Sequence, residues 1–261
     1  MANEIQVWNK VLSTALQMPG VKVNRKDFIE DKLSLYCNSS QLIQALGKGP
    51  IGIIPFPILD KVAEECINYH TRNVTALSSL AGLPGGWWIA ATIPVDLSQY
   101  YFHVFVLSQK LAYIYGFPDL CDKDGNLTEE ASNLLTIFVG VMGGVAIANE
   151  AVQEVVRQLQ KEVVRRLPQQ ALTKGVFYPM VKQIAKWIGI KLTKESFAKG
   201  VGKFIPIVGA LISGGLTYAT FKPQSKRLMR TLRNTMMIAS ENRKVGESSD
   251  AEDVSFEEVK S

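Results

Sequence analysis

Apolar residues recur at helical rather than β spacing along almost the whole chain. In the first segment Ile5, Trp8, Leu12 and Leu16 follow one another at steps of three and four, and "MPG" then ends the pattern. Such spacing places the apolar side chains on one face of an amphipathic helix. No segment sustains the alternation of apolar and polar residues that marks a half-buried strand. The pattern therefore predicts an all-α protein, a multi-helix bundle.

Breaker and capping residues divide this pattern into helices. A second helix is predicted to begin near Asn24, and Gly116 is predicted to follow the end of a helix over 94–115. Thr128 is a candidate N-cap for a helical pattern that continues to residue 166, with a bend at 143–144. The remaining predicted helices cover 38–50, 57–81, 179–188, 194–202, 206–221 and 224–239. We expect residues 1–240 to form a single helical domain.

The last segment of the chain has a different composition. Residues 241–261 are polar and acidic, with few large apolar side chains. Such a segment does not bury enough apolar surface to offset the entropy of ordering its backbone. We therefore expect 241–261 to be a disordered acidic tail.

Three long runs of the chain contain no charged residue, at 73–95, 131–149 and 204–221. A helix of about 19 residues reaches about 28 Å, close to the thickness of the hydrocarbon core of a bilayer. The runs are also rich in small residues at four-residue spacing, which lets helix backbones approach closely. Three interpretations stay open: tightly packed core helices, hairpins that insert partly into a membrane, and stable spans. The predicted close-packing positions in these glycine-rich hydrophobic hairpins are Gly140, Gly144, Gly209 and Gly214.

Charge is distributed unevenly along the chain. Residues 151–240 hold 16 basic and 3 acidic residues, a net charge of +13, whereas the whole chain carries +5. A basic block beside apolar runs favours an anionic partner. No groove-reading or base-stacking motif accompanies the charge, so anionic membrane lipids are favoured over nucleic acid. A solvated face of a bundle is the alternative. The candidate membrane contacts are Trp87, Trp88, Trp187, Lys182, Lys186 and Lys191.

One helix carries a stripe of polar side chains that could line a cavity. Asp96, His103 and Lys110 are seven residues apart and share this stripe with Gln99. Seven helical residues rise about 10 Å, so these side chains bond to one another only through a third group. The alternative is a set of polar groups that are satisfied separately in a helical core. His70 is the only other histidine, too few for a histidine-rich metal site.

No further signal for catalysis or for a cofactor is found. The chain has no phosphate-binding loop, no nucleophile elbow and no dinucleotide-binding motif. Its three cysteines lack both zinc spacing and the pattern of a disulfide framework, which is typical of a reducing compartment. We therefore expect neither a metal nor a cofactor, and a non-enzymatic protein is favoured.

Three blocks in the sequence together resemble the EcsC family. In order along the chain they are "SSLAGLPGGWWIAATIPVDLSQYYFHVFVLSQKLAYIYGFPDL", "FVGVMGGVAIANEAV" and "YPMVKQIAKWIGIKLTKESFAKGVGKFIPIVGALISGGLTYATFKPQSKRL". The resemblance covers roughly residues 75–233. It implies a bacterial protein with a place near the cytoplasmic face of a membrane, since the family is named after a protein encoded beside an ABC transporter. It assigns no catalytic residue.

The leading expectation is a membrane-peripheral protein on the inner face of the cell membrane. Its glycine-rich apolar hairpins and basic amphipathic helices would bind lipid or support a membrane complex, with a membrane protein as a possible partner. One alternative is a soluble helical scaffold that binds a protein through its basic helices. Another is an enzyme that acts on a lipid or other apolar substrate, with the helix of Asp96 and His103 lining the cavity.

Overall fold

Helices account for nearly all the secondary structure in this computed structural model, which describes residues 2–81, 95–161, 175, 177–198 and 214–258. Within those ranges there are no strands, only two isolated bridges in loops, so the prediction of an all-α multi-helix bundle is confirmed. In chain order the helices are α1 (Ala2–Leu16), α2 (Arg25–Leu33), α3 (Ser39–Lys48), α4 (Phe56–Ala81), α5 (Val95–Ile114), α6 (Glu129–Gly143), α7 (Ala146–Lys161), α8 (Phe177–Ala198) and α9 (Gly214–Glu258).

Polar side chains fix the N-termini of three helices. The side chain of Asn24 accepts a hydrogen bond from the backbone of Asp27 at the start of α2, and Thr128 accepts one from Ala131 at the start of α6. Asn38 and Gln41 form a reciprocal capping box at α3. These contacts satisfy backbone N–H groups that have no partner within the first turn. The predicted helix starts near Asn24 and at Thr128 are confirmed.

Helix α5 lies at the centre of the molecule and packs against α1, α2, α4, α6 and α9. Its buried Gln109 accepts a hydrogen bond from the backbone N–H of Val23 at 3.1 Å and donates one to the carbonyl of Val21 at 2.7 Å. That side chain therefore ties the loop after α1 to α5. From α1, the fully buried Trp8 donates its indole N–H to the hydroxyl of Thr136 on α6 at 3.1 Å.

The uncharged run 131–149 forms two helices rather than one. Helix α6 ends at Gly143, and Gly144 follows as its C-cap with a φ of 80°, in the left-handed region where glycine is favoured. The predicted bend at 143–144 is confirmed. Residues 134–142 of α6 are buried, so this half of the run lies in the core. Among the residues that the structure describes, no helix combines the length and apolarity that a membrane span requires.

The later helices differ from the prediction. Residues 179–188 and 194–202 were predicted as separate helices, but α8 runs without interruption from Phe177 to Ala198. Helix α9 passes through Pro223, where a boundary was predicted, and continues to Glu258 over most of the segment expected to be a disordered tail. Extending an existing helix adds one hydrogen bond per residue without the cost of a new nucleus. The backbone therefore continues helically where composition alone indicated disorder.

Candidate functional site

Four helices line an open groove with a volume of about 200 Å³. The first half of α5, the C-terminal end of α6, the second half of α8 and the first part of α9 each contribute side chains. The groove is mainly apolar, with Tyr100, Gln224 and Lys191 as its main polar groups; the other principal lining residues are Leu97, Val104, Val139, Met142, Trp187 and Ile188. An apolar groove with a few convergent polar groups is the usual form of a small-molecule site.

Trp187 and Lys191 form one wall of the groove. They lie one turn apart on α8, and the Lys191 ammonium is 5.4 Å from the centroid of the Trp187 ring. Opposite the ring lies Gly143 at the end of α6, where an added Cβ would stand 2.7 Å from an atom of the indole. The indole therefore packs directly on the glycine backbone. Tyr100 of α5 donates its hydroxyl to Gln224 of α9 at 2.9 Å and joins two other walls.

The lysines predicted as membrane contacts do not share one face. Lys182 is exposed on α8, with its ammonium 4.4 Å from the centroid of the Tyr178 ring. Nine residues separate Lys182 from Lys191, which places them on about opposite sides of the helix. Lys186 is half-buried, and its charge acts on Glu4 of α1. Of the three, only Lys191 lines the groove. Trp87 and Trp88 lie outside the described residues.

On another face of α5, three basic side chains form a chain of hydrogen bonds. His103 of α5 and His70 of α4 face each other with 3.1 Å between their Nδ1 atoms, and Lys110 of α5 places its ammonium nitrogen 3.1 Å from Nε2 of His70. His70 is 2% exposed and His103 is 9% exposed. His70 is thus the third group that connects the two members of the predicted polar stripe. We call His103, His70 and Lys110 the basic cluster.

Burial controls the titration of the basic cluster. It lowers the pKa of His70 to about 3, with further lowering by Lys110 and His103, and it lowers the pKa of His103 to about 4, again assisted by Lys110. Burial also lowers the pKa of Lys110. The Lys110 ammonium lies 5.6 Å from the centroid of the Tyr69 ring and 5.9 Å from that of Phe28. Among the described residues Lys110 forms no ion pair with a carboxylate.

Of the predicted cavity cluster Asp96, Gln99 and His103, neither Gln99 nor His103 lines the groove. Helix α5 does line the groove, but with Leu97, Tyr100, Tyr101 and Val104 rather than His103. Gln99 is half-buried, and the side chain of Asp96 lies outside the described residues. His103 and Lys110 bond instead toward α4, so these two members of the polar stripe serve that helix contact. No group of three or more metal-ligating side chains occurs in the described part of the chain.

The predicted close-packing glycines have different surroundings. At Gly140, an added Cβ would lie 2.6 Å from Cγ2 of Ile184 on α8 and 2.9 Å from Cβ of Ala148 on α7, so three helices meet there. Gly144 is exposed and serves as a left-handed cap rather than as a helix-packing position; its nearest neighbour is Arg227. Gly209 lies outside the described residues, as do the surroundings of Gly214.

The sequence did not reveal the contacts of three residues, Gly143, Gly189 and His70, that position the helices around the groove and the basic cluster. Gly189 allows α8 to approach the backbone of α1 at Glu4 so closely that any side chain would collide, and Gly143 supports Trp187. An isolated glycine inside an otherwise good helical pattern was the available signal for Gly189. His70 lies on a different helix from the polar stripe. Its position gave no sign of contact with α5, although it was the only other histidine.

Comparison with known proteins gives no further assignment. No family model matches the chain, and no curated relative or solved structure is significantly similar to it. The groove and the basic cluster are therefore interpreted from their own chemistry.

Proposed function

We propose that this protein is a non-enzymatic, membrane-peripheral protein that binds anionic lipid at the groove. The observation that carries the proposal is the pairing of an apolar groove with Lys191, whose ammonium lies beside the indole of Trp187 at its wall. An acyl chain fits the apolar lining, and an anionic headgroup fits the lysine. Tryptophan and lysine in this combination are favoured at the boundary between apolar and aqueous surroundings.

The position of the groove in the chain supports the same proposal. Helices α5 and α9, which supply two of its walls, begin directly after residues 82–94 and 204–213, two segments without any charged residue. Residues 151–240, which include the groove walls on α8 and α9, carry a net charge of +13. Apolar segments and a basic surface act together in peripheral membrane binding, because neither alone gives a stable attachment. The resemblance to the EcsC family and a place on the cytoplasmic face of the membrane belong to this proposal.

The test is binding to vesicles of phosphatidylcholine, with and without phosphatidylglycerol, measured by flotation. We expect binding that requires the anionic lipid and weakens as the salt concentration rises. Lys191→Gln should weaken it by about fivefold, since one lysine near an anionic surface contributes about 1 kcal/mol. Lys182→Gln is the matched control, because it removes the same charge from the opposite side of α8 and should have little effect.

Two results would contradict the proposal in different ways. If the unaltered protein fails to float with vesicles of either composition, membrane binding is wrong. If Lys182→Gln weakens binding as much as Lys191→Gln, the attraction is general and the groove is not the contact site.

A further inference from the structure

The two hydrogen bonds of the basic cluster limit how many protons it can hold. Each bond needs one hydrogen between its two nitrogens, so the Nδ1 atoms of His70 and His103 share one hydrogen, and Nε2 of His70 shares another with the Lys110 ammonium. With both bonds intact and the outer nitrogen of His103 also protonated, the cluster carries one positive charge. A further proton can only be placed where two N–H donors face each other at 3.1 Å.

Among the described residues, no carboxylate pairs with the basic cluster to offset a second charge. Within the part of the chain that the structure describes, burial is the main cause that lowers the pKa of both imidazoles, Lys110 and His103 lower that of His70 further, and Lys110 lowers that of His103 further; no carboxylate acts on either ring. From α2, Asp31 and Lys32 lie near Lys110 but pair with each other at 2.8 Å. A second positive charge would therefore be buried without a partner, which is strongly unfavourable.

Two carboxylates of α4 pair with α9, and Glu65 and Arg72 of α4 are exposed. Asp60 pairs with Arg233 of α9 at 2.7 Å, and Glu64 pairs with Lys226 of α9 at 2.8 Å. Near the cluster, burial raises the pKa of the Cys66 thiol to about 11, with Glu65 as a smaller contributor, and Tyr69 presents its ring to Lys110. Asp60 also accepts a hydrogen bond from Tyr115, the residue that follows α5, at 2.8 Å. The basic cluster is therefore a second polar contact of α4 with α5, and neither Asp60 nor Glu64 takes part in its hydrogen bonds.

We propose that the basic cluster is a proton-sensing site, at which binding of a second proton in mild acid breaks a hydrogen bond between α4 and α5 and opens their contact. The proton is the ligand, and the opening follows from the hydrogen count and the missing counter-charge. Histidine suits this role because its ordinary titration range includes mildly acidic pH once it reaches water. This site is independent of the lipid groove, since His70, His103 and Lys110 do not line that groove.

The hydrogen-bond arrangement is tested by nitrogen NMR of the labelled full chain. The protein has two histidines, so each signal is assigned with one substitution. We expect both imidazoles to be neutral at pH 7 and one of the two to carry its hydrogen on Nδ1, as the contact between the Nδ1 atoms requires. Two imidazoles that both carry hydrogen on Nε2, or that titrate near pH 6.5, would overturn the proposal without recourse to any variant.

The opening is tested by hydrogen exchange at pH 7 and pH 5, corrected for the intrinsic pH dependence of exchange. We expect protection around residues 66–71 and 103–110 to fall at least tenfold at pH 5, and protection in α1 and α8 to fall less. His70→Gln should reduce this response, because a glutamine amide can both accept from Lys110 and donate to His103 without titrating, which leaves His103 as the one histidine of the cluster. Unchanged protection at pH 5, an equal loss in every helix, or the same loss in His70→Gln would each contradict local opening at this site.

Discussion

On each of two faces of helix α5 a lysine lies beside aromatic rings, and the two lysines have opposite environments. Toward α4, Lys110 is half-buried, bonds to a histidine and lies beside the rings of Tyr69 and Phe28. At the groove, Lys191 of α8 is exposed and lies beside the ring of Trp187. Neither lysine has a carboxylate partner among the described residues, yet only Lys191 keeps its hydration. Lys191 is therefore available to an external anion at the groove, whereas Lys110 is held by internal bonds at the α4–α5 contact.

The largest expected effect concerns pH and distinguishes the two faces directly. The folded pKa values of His70 and His103, about 3 and about 4, lie below the 6.5 of an exposed histidine, so the unfolded chain binds more protons below pH 6.5. Stability from these groups is complete above pH 6.5 and is lost as the pH falls from 6.5 toward 4. Between pH 6.5 and 5 the free energy of unfolding should fall by about 1.6 kcal/mol for each histidine.

The measurement is urea-induced unfolding at a series of pH values, followed by circular dichroism. The double variant His70→Gln and His103→Gln is the control, because the carboxylates contribute equally to its pH dependence and to that of the unaltered protein. A pH dependence as steep in the control as in the unaltered protein would show that the basic cluster does not govern the acid response.

The second prediction concerns the tightly packed part of the contact between α6 and α8, at Gly140. Gly140→Ala places a Cβ 2.6 Å from the side chain of Ile184 and 2.9 Å from that of Ala148, both buried. Both neighbours are fully buried, so the substitution overpacks the contact and should lower the free energy of unfolding by about 1–3 kcal/mol. Chemical denaturation with Gly47→Ala as the control tests this. Gly47 lies in α3 with open space around it, so its replacement should be neutral or stabilising by up to about 1 kcal/mol.

The sequence was sufficient for most of the helical architecture, for physical reasons that particular residues show. Asn24 and Thr128 are capping residues whose side chains act within three residues, and Gly144 takes a backbone conformation that few other residues adopt. Such interactions involve neighbouring residues, so they can be predicted from the sequence. The boundary near Pro223 was wrong because the helix around it is held by packing: Phe221, Ser225 and Leu228 are all buried.

The candidate site was less accessible to sequence reasoning, because it depends on contacts between distant segments. The need for a third group between His103 and Lys110 followed from the rise of a helix, but the identity of that group depended on how α4 packs on α5. Trp187 and Lys191 were predicted as contacts with lipid, whereas the groove beside them is assembled from four helices that are far apart in sequence. Periodicity identifies which face of one helix is apolar and does not identify which helices meet.

The smallest expected effect on stability is at Gly143, one turn beyond Gly140, where the contact between α6 and α8 opens into the groove. In Gly143→Ala the added Cβ meets the Trp187 ring at 2.7 Å, but this indole is half-buried and has the groove beside it. The ring can therefore turn aside, and the gain in helix propensity offsets part of the cost, so the free energy of unfolding should change by less than about 1 kcal/mol. The displaced ring would occupy the groove and separate from Lys191. We expect vesicle binding to weaken severalfold in Gly143→Ala while Gly140→Ala, assayed where it remains folded, binds normally. If Gly143→Ala binds vesicles as tightly as the unaltered protein, the open face of α8 is not the lipid site, and the contrast between the two lysines has no functional meaning.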